Sequence, residues 1–335
     1  MSNEMNDYPL VTMISVFYNR GYCVNESVQS MIDQKYPNLE IILVDDESID
    51  NTLEELKNFE SDPRVKVVTH KNMGFTKSIK KAVEKIANGE FIAIHGSGDI
   101  SHPERIEKQV RSMLNDKNIA VCGAANNNIK AADSTVLDSH IFTAKVIEKN
   151  HFYFAVPFTH GAAMFSKDKY NLIGGYDERF NLCQDWDLWL RFIDAGLDIV
   201  YISDLLYSRY EREQSVSNSS DMKGFMHIEA ITKIHQKAQD RDEVLDSLIN
   251  VHVSKVDPET IKRFRKVRSF QVIRLYLSNL VNDYNRAVHV LKGYGGMTLL
   301  PYFLITLIKF LVGLGVKKER ILSFLRGIKN KNSFK

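Results

Sequence analysis

The chain has 335 residues, 44% hydrophobic and 26% charged, an ordinary globular composition with enough length for one large domain or two moderate ones. Disorder and fibrous repeats are excluded by that composition. Lys and Arg number 44 against 42 Asp and Glu, a formal charge of +2, so no overall field selects nucleic acid or repels a small anion.

Leu10 to Phe17 is a continuous apolar run rich in Val and Ile and predicts a buried strand. Tyr22 to Gln34 sets Val24, Val28, Met31 and Ile32 on one helical stripe, and Tyr36-Pro37-Asn38 stops it before a second apolar run, Leu39 to Val44. These three segments make a βαβ unit. The pattern continues with a helix over Asp50 to Phe59, a strand over Val65 to Val68, a helix over Thr76 to Ala87 and a strand over Glu90 to Ile94. Beyond it come a helix from Pro103 to Leu114 and an apolar run from Ile119 to Gly123. Ala124 to Val156 is mixed and polar and yields no assignable elements. Ala162 to Phe165 reads as a strand and Lys167 to Ile173 as a helix ended by Gly174-Gly175. Asp185 to Ala195 reads as a helix with Leu188, Trp189 and Phe192 on one face, followed by a short strand at Ile199 to Ile202. After about Ser215 strand signals give way to helical ones, first Met222 to Gln239 and then Arg241 to Val253.

Alternating strands and helices predict an α/β fold with a mostly parallel sheet, flanked by helices and followed by a mainly helical C-terminal region. The expected division is 1–215 and 216–335. Cys23, Cys122 and Cys183 lack paired spacing, which argues against disulfides and a cysteine zinc site. The N-terminal MSNEMNDYPL has neither a basic nor an apolar leader region, so a cytoplasmic location is the expectation.

Ligands of open parallel sheets bind beyond the carboxyl ends of the strands, which here carry Tyr18-Asn19-Arg20, Asp45-Asp46-Glu47-Ser48 and Ser97-Gly98-Asp99. A tyrosine ring can stack on a nucleobase, and a carboxylate can accept from an imide N–H or a ribose hydroxyl. Helix capping is the alternative for Asp45 and Asp46.

In order, the blocks LVTMISVFYNR, EIILVDDESIDNT, GFTKSIKKAVEKIANGEFIA, HGSGDISHPERIEKQ, HGAAMFSKDKYNLIGGYDERF and QDWDLWLR span roughly residues 9 to 210. Together they resemble the family 2 glycosyltransferases, which have the nucleotide-sugar-binding GT-A fold. The resemblance implies that Tyr18 and Asp46 hold the nucleotide base, with Asp45 orienting the loop. It brings Lys77 near the diphosphate, unless Lys77 is a solvated helix-face lysine. It makes Asp185 the general base of an inverting displacement, with a helix cap as its alternative. His160 falls in the donor-sugar and acceptor block, where a satisfied core histidine is the competing reading. Trp186 could stack on a sugar, while Trp189 reads as core.

The family usually carries Asp-x-Asp-Asp after the third strand to hold a divalent cation on the diphosphate. This chain has Gly96, Ser97, Gly98 and Asp99 there, so Mg²⁺ or Mn²⁺ would rest on Asp99 and the substrate phosphates. Without a metal, Lys77, Arg105, His95, His102 or backbone N–H groups beside Gly96 and Gly98 would have to meet the phosphate charge. The implied function is transfer of a sugar from a nucleotide sugar, a UDP-sugar first, to a glycan or lipid-linked acceptor in cell-surface polysaccharide synthesis. A non-catalytic nucleotide-sugar or glycan-binding module is the alternative.

Residues 297–316, MTLLPYFLITLIKFLVGLGV, are long and apolar enough to span a bilayer, but Pro301, Lys309, Gly313 and Gly315 oppose a span. Lys317, Lys318, Arg320, Arg326, Lys329, Lys331 and Lys335 follow with Glu319 as the sole acid. A hydrophobic helix and a basic one read as an interfacial anchor on the inner face of the cell membrane, or as a helical pair packed on protein. The basic run Lys262 to Arg268 joins that face or is ordinary solvated helix. Deleting residues 297–335 is expected to release the protein from anionic liposomes while UDP binding persists. Sedimentation of the truncated chain with the liposomes would place the attachment elsewhere.

Overall fold

A computed structural model describes residues 8–142, 144–152, 156–211, 231, 234–235, 240–249, 306–309 and 311–312. The central strand is β1 (Val11–Phe17), buried at every position because β2 (Leu39–Asp45) and β4 (Phe91–Gly96) pair with it in parallel on either side. A strand covered on both faces has no side reserved for polar residues, so Val, Met, Ile and Phe fill both and even Thr12 and Ser15 are buried. Its alternate residues enter different cores. Ile14 and Val16, with Ile42 and Val44 of β2, meet Ile79, Ala82 and Val83 of α3 (Phe75–Lys85) and Leu188, Trp189 and Phe192 of α7 (Gln184–Asp194). Val11, Met13, Ile41 and Leu43 meet Val24, Val28 and Met31 of α1 (Val24–Ile32) and Ile106, Val110 and Met113 of α4 (Arg105–Met113).

The sheet order is β3-β2-β1-β4-β8-β6-β9-β5, with β7 beside β6. β3 (Val65–Thr69) continues the parallel half on the outer side of β2. From β1 the chain therefore steps outward to β2 and β3 and returns on the other side of β1 as β4. This reversal opens a crevice at the carboxyl ends of β1 and β4, where sheets of this kind bind ligands.

The other half is mixed, where the sequence predicts a mostly parallel sheet. β8 (Met164–Ser166) runs antiparallel to both β4 and β6 (Ile119–Lys130), and β5 (Ile100–Ser101) runs antiparallel to β9 (Asp198–Glu211). β6 and β9 run parallel and extend well past the apolar segments that announce them. Asn126, Asn127 and Asn128 have poor strand propensity, yet they pair with β9 on one side and with β7 (Val136–His140) on the other. Register shifts near Ala125 and Asn128 bend β6 as it crosses between these partners. β7 and the four-residue α5 (Lys149–Phe152) occupy the stretch that sequence patterning leaves unassigned.

Two shorter helices, α2 (Thr52–Lys57) and α6 (Lys167–Leu172), match their expected positions within a few residues. α8 (Arg241–Ile249) begins at the predicted residue. The preceding predicted helix is described at Ile231, Ile234 and His235, and the rest of it lies outside the described residues, as do the basic run 262–268 and most of 297–335. Ile231 and Leu245 are buried in the same cluster as Trp189 and Phe192, so core packing crosses the boundary expected at 215/216. Among the described residues no helix is long and apolar enough to cross a membrane.

Candidate active site

The loops after β1 and β2 are stitched together. Asn19 donates its backbone N–H to Ser48 Oγ at 3.0 Å, and its side-chain oxygen accepts from Ile49 N–H at 2.9 Å. Asn19 has φ +53°, a left-handed conformation that Asn tolerates better than most residues. Tyr18 is held at the turn with about half of its surface (49%) in solvent.

Asp45 and Asp46 behave differently from Tyr18. Both are buried and met by donors of their own chain. Asp45 accepts from Ser48 N–H at 3.2 Å and from the Thr69 hydroxyl at 3.0 Å. Asp46 accepts from Met73 N–H (3.0 Å), Gly74 N–H (3.1 Å) and the Ser78 hydroxyl (2.9 Å), with His70 Nδ1 at 3.3 Å. Asp46 thus gathers the loop that opens α3. Lys77 lies exposed on the first turn of that helix, between buried Thr76 and Ser78.

At the end of β4, Asp99 turns onto β9. Its Oδ2 accepts from the Tyr207 hydroxyl at 2.8 Å and its Oδ1 from Tyr210 N–H at 3.0 Å. The Tyr207 oxygen in turn accepts from Gly96 N–H at 2.8 Å. Small residues leave room for it, since a Cβ at Gly161 would come within 2.2 Å of that oxygen, and one at Gly96 within 2.4 Å of Asp99 Oδ2. Beneath lies Arg105, fully buried, donating to Gln109, Ser101 and the carbonyls of Ile94 and Ala163, with its guanidinium 5.1 Å from the Tyr207 ring centroid. Burial pulls Arg105 down to about 10, opposed by Tyr207, Cys122 and Asp99, so the side chain stays cationic at neutral pH. His95 is buried among Ser27, Ser101 and the Asp99 carbonyl. Desolvation, with the Arg105 charge adding to it, pulls His95 down to about 3 and keeps it neutral.

This network commits most of the groups that the sequence offers to a diphosphate. Arg105 and His95 are enclosed, Gly96 N–H goes to Tyr207, and Gly98 N–H goes to Ser27 Oγ at 3.0 Å. His102 and Lys77 remain exposed. The expectation of a divalent ion at Asp99 meets a lone carboxylate with both oxygens already hydrogen-bonded to β9. Among the described residues no group of three His, Cys, Asp or Glu side chains is placed to hold a metal ion. The described residues thus build no protein cage for Mg²⁺ or Mn²⁺, and a cation here would take most of its oxygen ligands from the donor diphosphate and water.

Asp185 stands half-buried at the start of α7, its Oδ1 accepting from Trp186 N–H at 2.9 Å. It is close enough to His160 for its charge to oppose the desolvation that lowers the imidazole's pKa. His160 Nε2 is 2.7 Å from the Tyr176 hydroxyl, and its ring meets Phe75, Tyr176 and Trp189 at centroid distances of 5.8, 5.9 and 5.9 Å. Phe75, the first residue of α3, therefore connects the start of α3 to the surroundings of His160 and Asp185. Trp186 is buried in the core cluster and presents no open face to a sugar ring, contrary to the stacking role anticipated for it. Trp189 is core, stacked on Phe192. Sequence patterning places Tyr176 only in a turn at the pocket rim and gives no role to Phe75 or Tyr207, whose partners lie up to 111 residues away. The motif GFTKS is the one signal in the sequence that brings Phe75 near the site.

A family model described as glycosyl transferase family 2 matches residues 12–173. The putative glycosyltransferase EpsE of Bacillus subtilis is 30% identical over 221 residues, covering 64% of this chain and 78% of that protein. The hyaluronan synthase of Pasteurella multocida is 26% identical over 208 residues, which are 62% of this chain but 21% of that longer protein. Among solved structures, S. aureus TarS 1–349 in complex with UDP superposes with a TM-score of 0.55 at 17% identity, over 85% of this chain and 89% of the other. The mannosyltransferase PcManGT from Pyrobaculum calidifontis, in complex with GDP-Man and Mn²⁺, gives 0.56 at 15% identity over 94% and 84%. Both share the fold.

The buried imidazole predicts a pH signature. Above the ordinary value of 6.5, His95 is neutral folded or unfolded and contributes fully. Below it the unfolded chain binds a proton that the folded chain refuses until about pH 3, so stability falls with pH by up to about 1.4 kcal/mol per unit. Urea unfolding of His95→Gln at pH 7 and pH 5 is expected to show a smaller loss between the two than the parent chain does.

Proposed function

Because the chain belongs to glycosyl transferase family 2, we propose that it is an inverting enzyme moving a sugar from a nucleotide sugar, a UDP-sugar first, to a hydroxyl of a glycan or lipid-linked glycan. The observation that carries this reading is Asp185, a partly exposed carboxylate at the mouth of a helix, beside a neutral histidine and on the crevice side of α3. Asp185 takes the proton of the acceptor hydroxyl as that oxygen attacks the anomeric carbon. The bond from that carbon to the diphosphate breaks on the opposite face, and the configuration inverts. His160, held by Tyr176 and Phe75, fixes the floor against which donor sugar and acceptor are aligned.

Tyr18 supplies the stacking surface for the base. Asp45 and Asp46 shape its pocket by holding the loops rather than by offering bare carboxylates. Lys77 meets the diphosphate as a point charge. No step is routed through a metal, because the described residues build no protein cage for one. A UDP-sugar is supported by TarS, solved with UDP and with UDP-GlcNAc, and a polysaccharide product by the hyaluronan and chondroitin synthases. The catalytic module comprises the sheet through β9 together with Ile231, His235 and the start of α8, which pack on it. The 297–335 tail is the candidate attachment to an anionic membrane surface.

A screen of UDP- and GDP-sugars, read as nucleoside diphosphate release, identifies the donor. With that donor, Asp185→Asn is expected to keep UDP affinity in calorimetry while release falls by at least about 10²-fold. Equal turnover would remove Asp185 from the mechanism. For the diphosphate, UDP affinity is expected to be unmoved by EDTA, and Lys77→Ala to weaken it about tenfold, equivalent to roughly 1.4 kcal/mol. Affinity that collapses with EDTA and returns with Mn²⁺ would overturn the metal-free reading.

A further inference from the structure

Asp185 has a neighbour on the same helix with a different fate. Asp187 is fully buried, and residues two apart on an α-helix lie on nearly opposite sides of it. Its oxygens are saturated. Oδ1 is contacted by Arg241 Nη1 at 2.8 Å and His235 Nε2 at 3.2 Å, and Oδ2 by Arg241 Nη2 and Arg191 Nε, both at 2.9 Å. Burial alone would raise this carboxyl. Hydrogen bonds from His235 and Arg241, with the charges of Arg191 and Arg241, hold it well below the ordinary range.

Arg241 also reaches Asp177, through Nη2 at 2.8 Å and Nε at 3.2 Å, and lies over the Phe180 ring at 5.6 Å. Phe180 in turn offers its carbonyl to the Thr76 hydroxyl at 2.7 Å, on the first turn of α3. One guanidinium from α8 thus fastens α7 to the 177–180 turn, which is itself tied to the opposite wall of the crevice. His235 adds a second strap, bridging Asp187 to Asp194 at 2.6 Å near the other end of α7.

α7 needs an external hold at its start. Its N-cap, Cys183, has φ +57° and makes no side-chain capping hydrogen bond. A non-glycine residue in that region costs roughly 1–3 kcal/mol and persists only when its surroundings over-determine it. The base sits two residues further on.

We infer that Arg241 is a positioning residue for transfer: by clamping Asp187 to Asp177 it fixes the rotation of α7 and so the direction in which Asp185 faces the acceptor. The inference rests on the reading of Asp185 as the base, and it makes residues 240–245 part of the catalytic unit. A displacement of about 1 Å at a reacting group can cost on the order of 10²-fold in rate.

The test uses the full chain, with Arg241→Ala and Arg241→Lys assayed beside Asp185→Asn. Arg241→Ala is expected to lower kcat by about 10- to 100-fold with donor KM within about twofold of the parent, because the donor contacts lie on β1 and α3. Arg241→Lys keeps the charge without the fork that spans two carboxylates, and should stay folded and fall between the two. Hydrogen exchange, which needs no substrate, should quicken at residues 184–190 in Arg241→Ala and stay unchanged at 75–85.

Normal kcat in both Arg241 variants, with Asp185→Asn inactive, would overturn this inference alone, even if the helix exchanges faster. Unchanged exchange at 184–190 in Arg241→Ala would also overturn it. Normal turnover of Asp185→Asn would refute the base assignment and take this inference with it. Parallel loss of kcat and of UDP affinity in Arg241→Lys would reduce Arg241 to a general stabiliser and refute the positioning role.

Discussion

A carboxylate taken out of water has to be met by donors, and buried aspartates impose that demand at every corner of this crevice. Asp45 and Asp46 at the end of β2, Asp99 beyond β4 and Asp187 inside α7 are all enclosed. Each draws the chain's own N–H, hydroxyl, imidazole or guanidinium groups onto itself. The loops that would otherwise be the loosest part of an open sheet are therefore the most densely cross-linked. Asp46 shapes the start of α3, Asp99 pins the β4 loop to β9, and Asp187 fastens the helix that carries Asp185. The exposed groups left over, Tyr18, Lys77, Phe75 and Asp185, are presented from a rigid frame, which suits chemistry that depends on alignment.

Charge is distributed accordingly. Arg105 is a permanent cation buried among neutral acceptors, with Asp99 as an acid that feels its charge. The pair sits at the loop after β4 and balances it internally rather than leaving a bare carboxylate there. Tyr207 mediates between the two, donating a hydrogen bond from its hydroxyl to Asp99 while its ring faces the guanidinium. Burial first, and then the Asp99 charge, push the Tyr207 phenol far above its ordinary value, so it acts as a donor at any physiological pH.

The sequence was most legible where structure is local. Val11–Phe17 and Leu39–Asp45 show as strands because burial on both faces leaves no polar alternation to confuse them, and α3 and α7 show through helical spacing. The long halves of β6 and β9 were hidden because Asn126 to Asn128 argue against a strand until their partners are known. The site divides the same way. Motif context is what singles out Asp185, Tyr18 and Lys77, and all three side chains keep some exposure to solvent. What each buried aspartate binds was not legible, because Tyr207 is 108 residues from Asp99 and Arg241 is 54 from Asp187. Trp186 was misjudged because one helix turn carries both a core face and a rim, and composition alone does not tell which face an indole takes.

The fit of Tyr207 between Gly96 and Gly161 bears on the order in which this loop can change. Any side chain at 96 would start 2.4 Å from Asp99 Oδ2 and 3.1 Å from the Tyr207 oxygen, so an acid does not fit there while both stay in place. At 98 the backbone has φ +87°, which charges every residue but glycine a conformational penalty. An acidic β4 loop and a tyrosine in this pose are thus alternatives separated by coordinated substitutions, each harmful without the others. The phenol and the two glycines are therefore matched to one another, and a single substitution in this loop meets a steric or a backbone penalty.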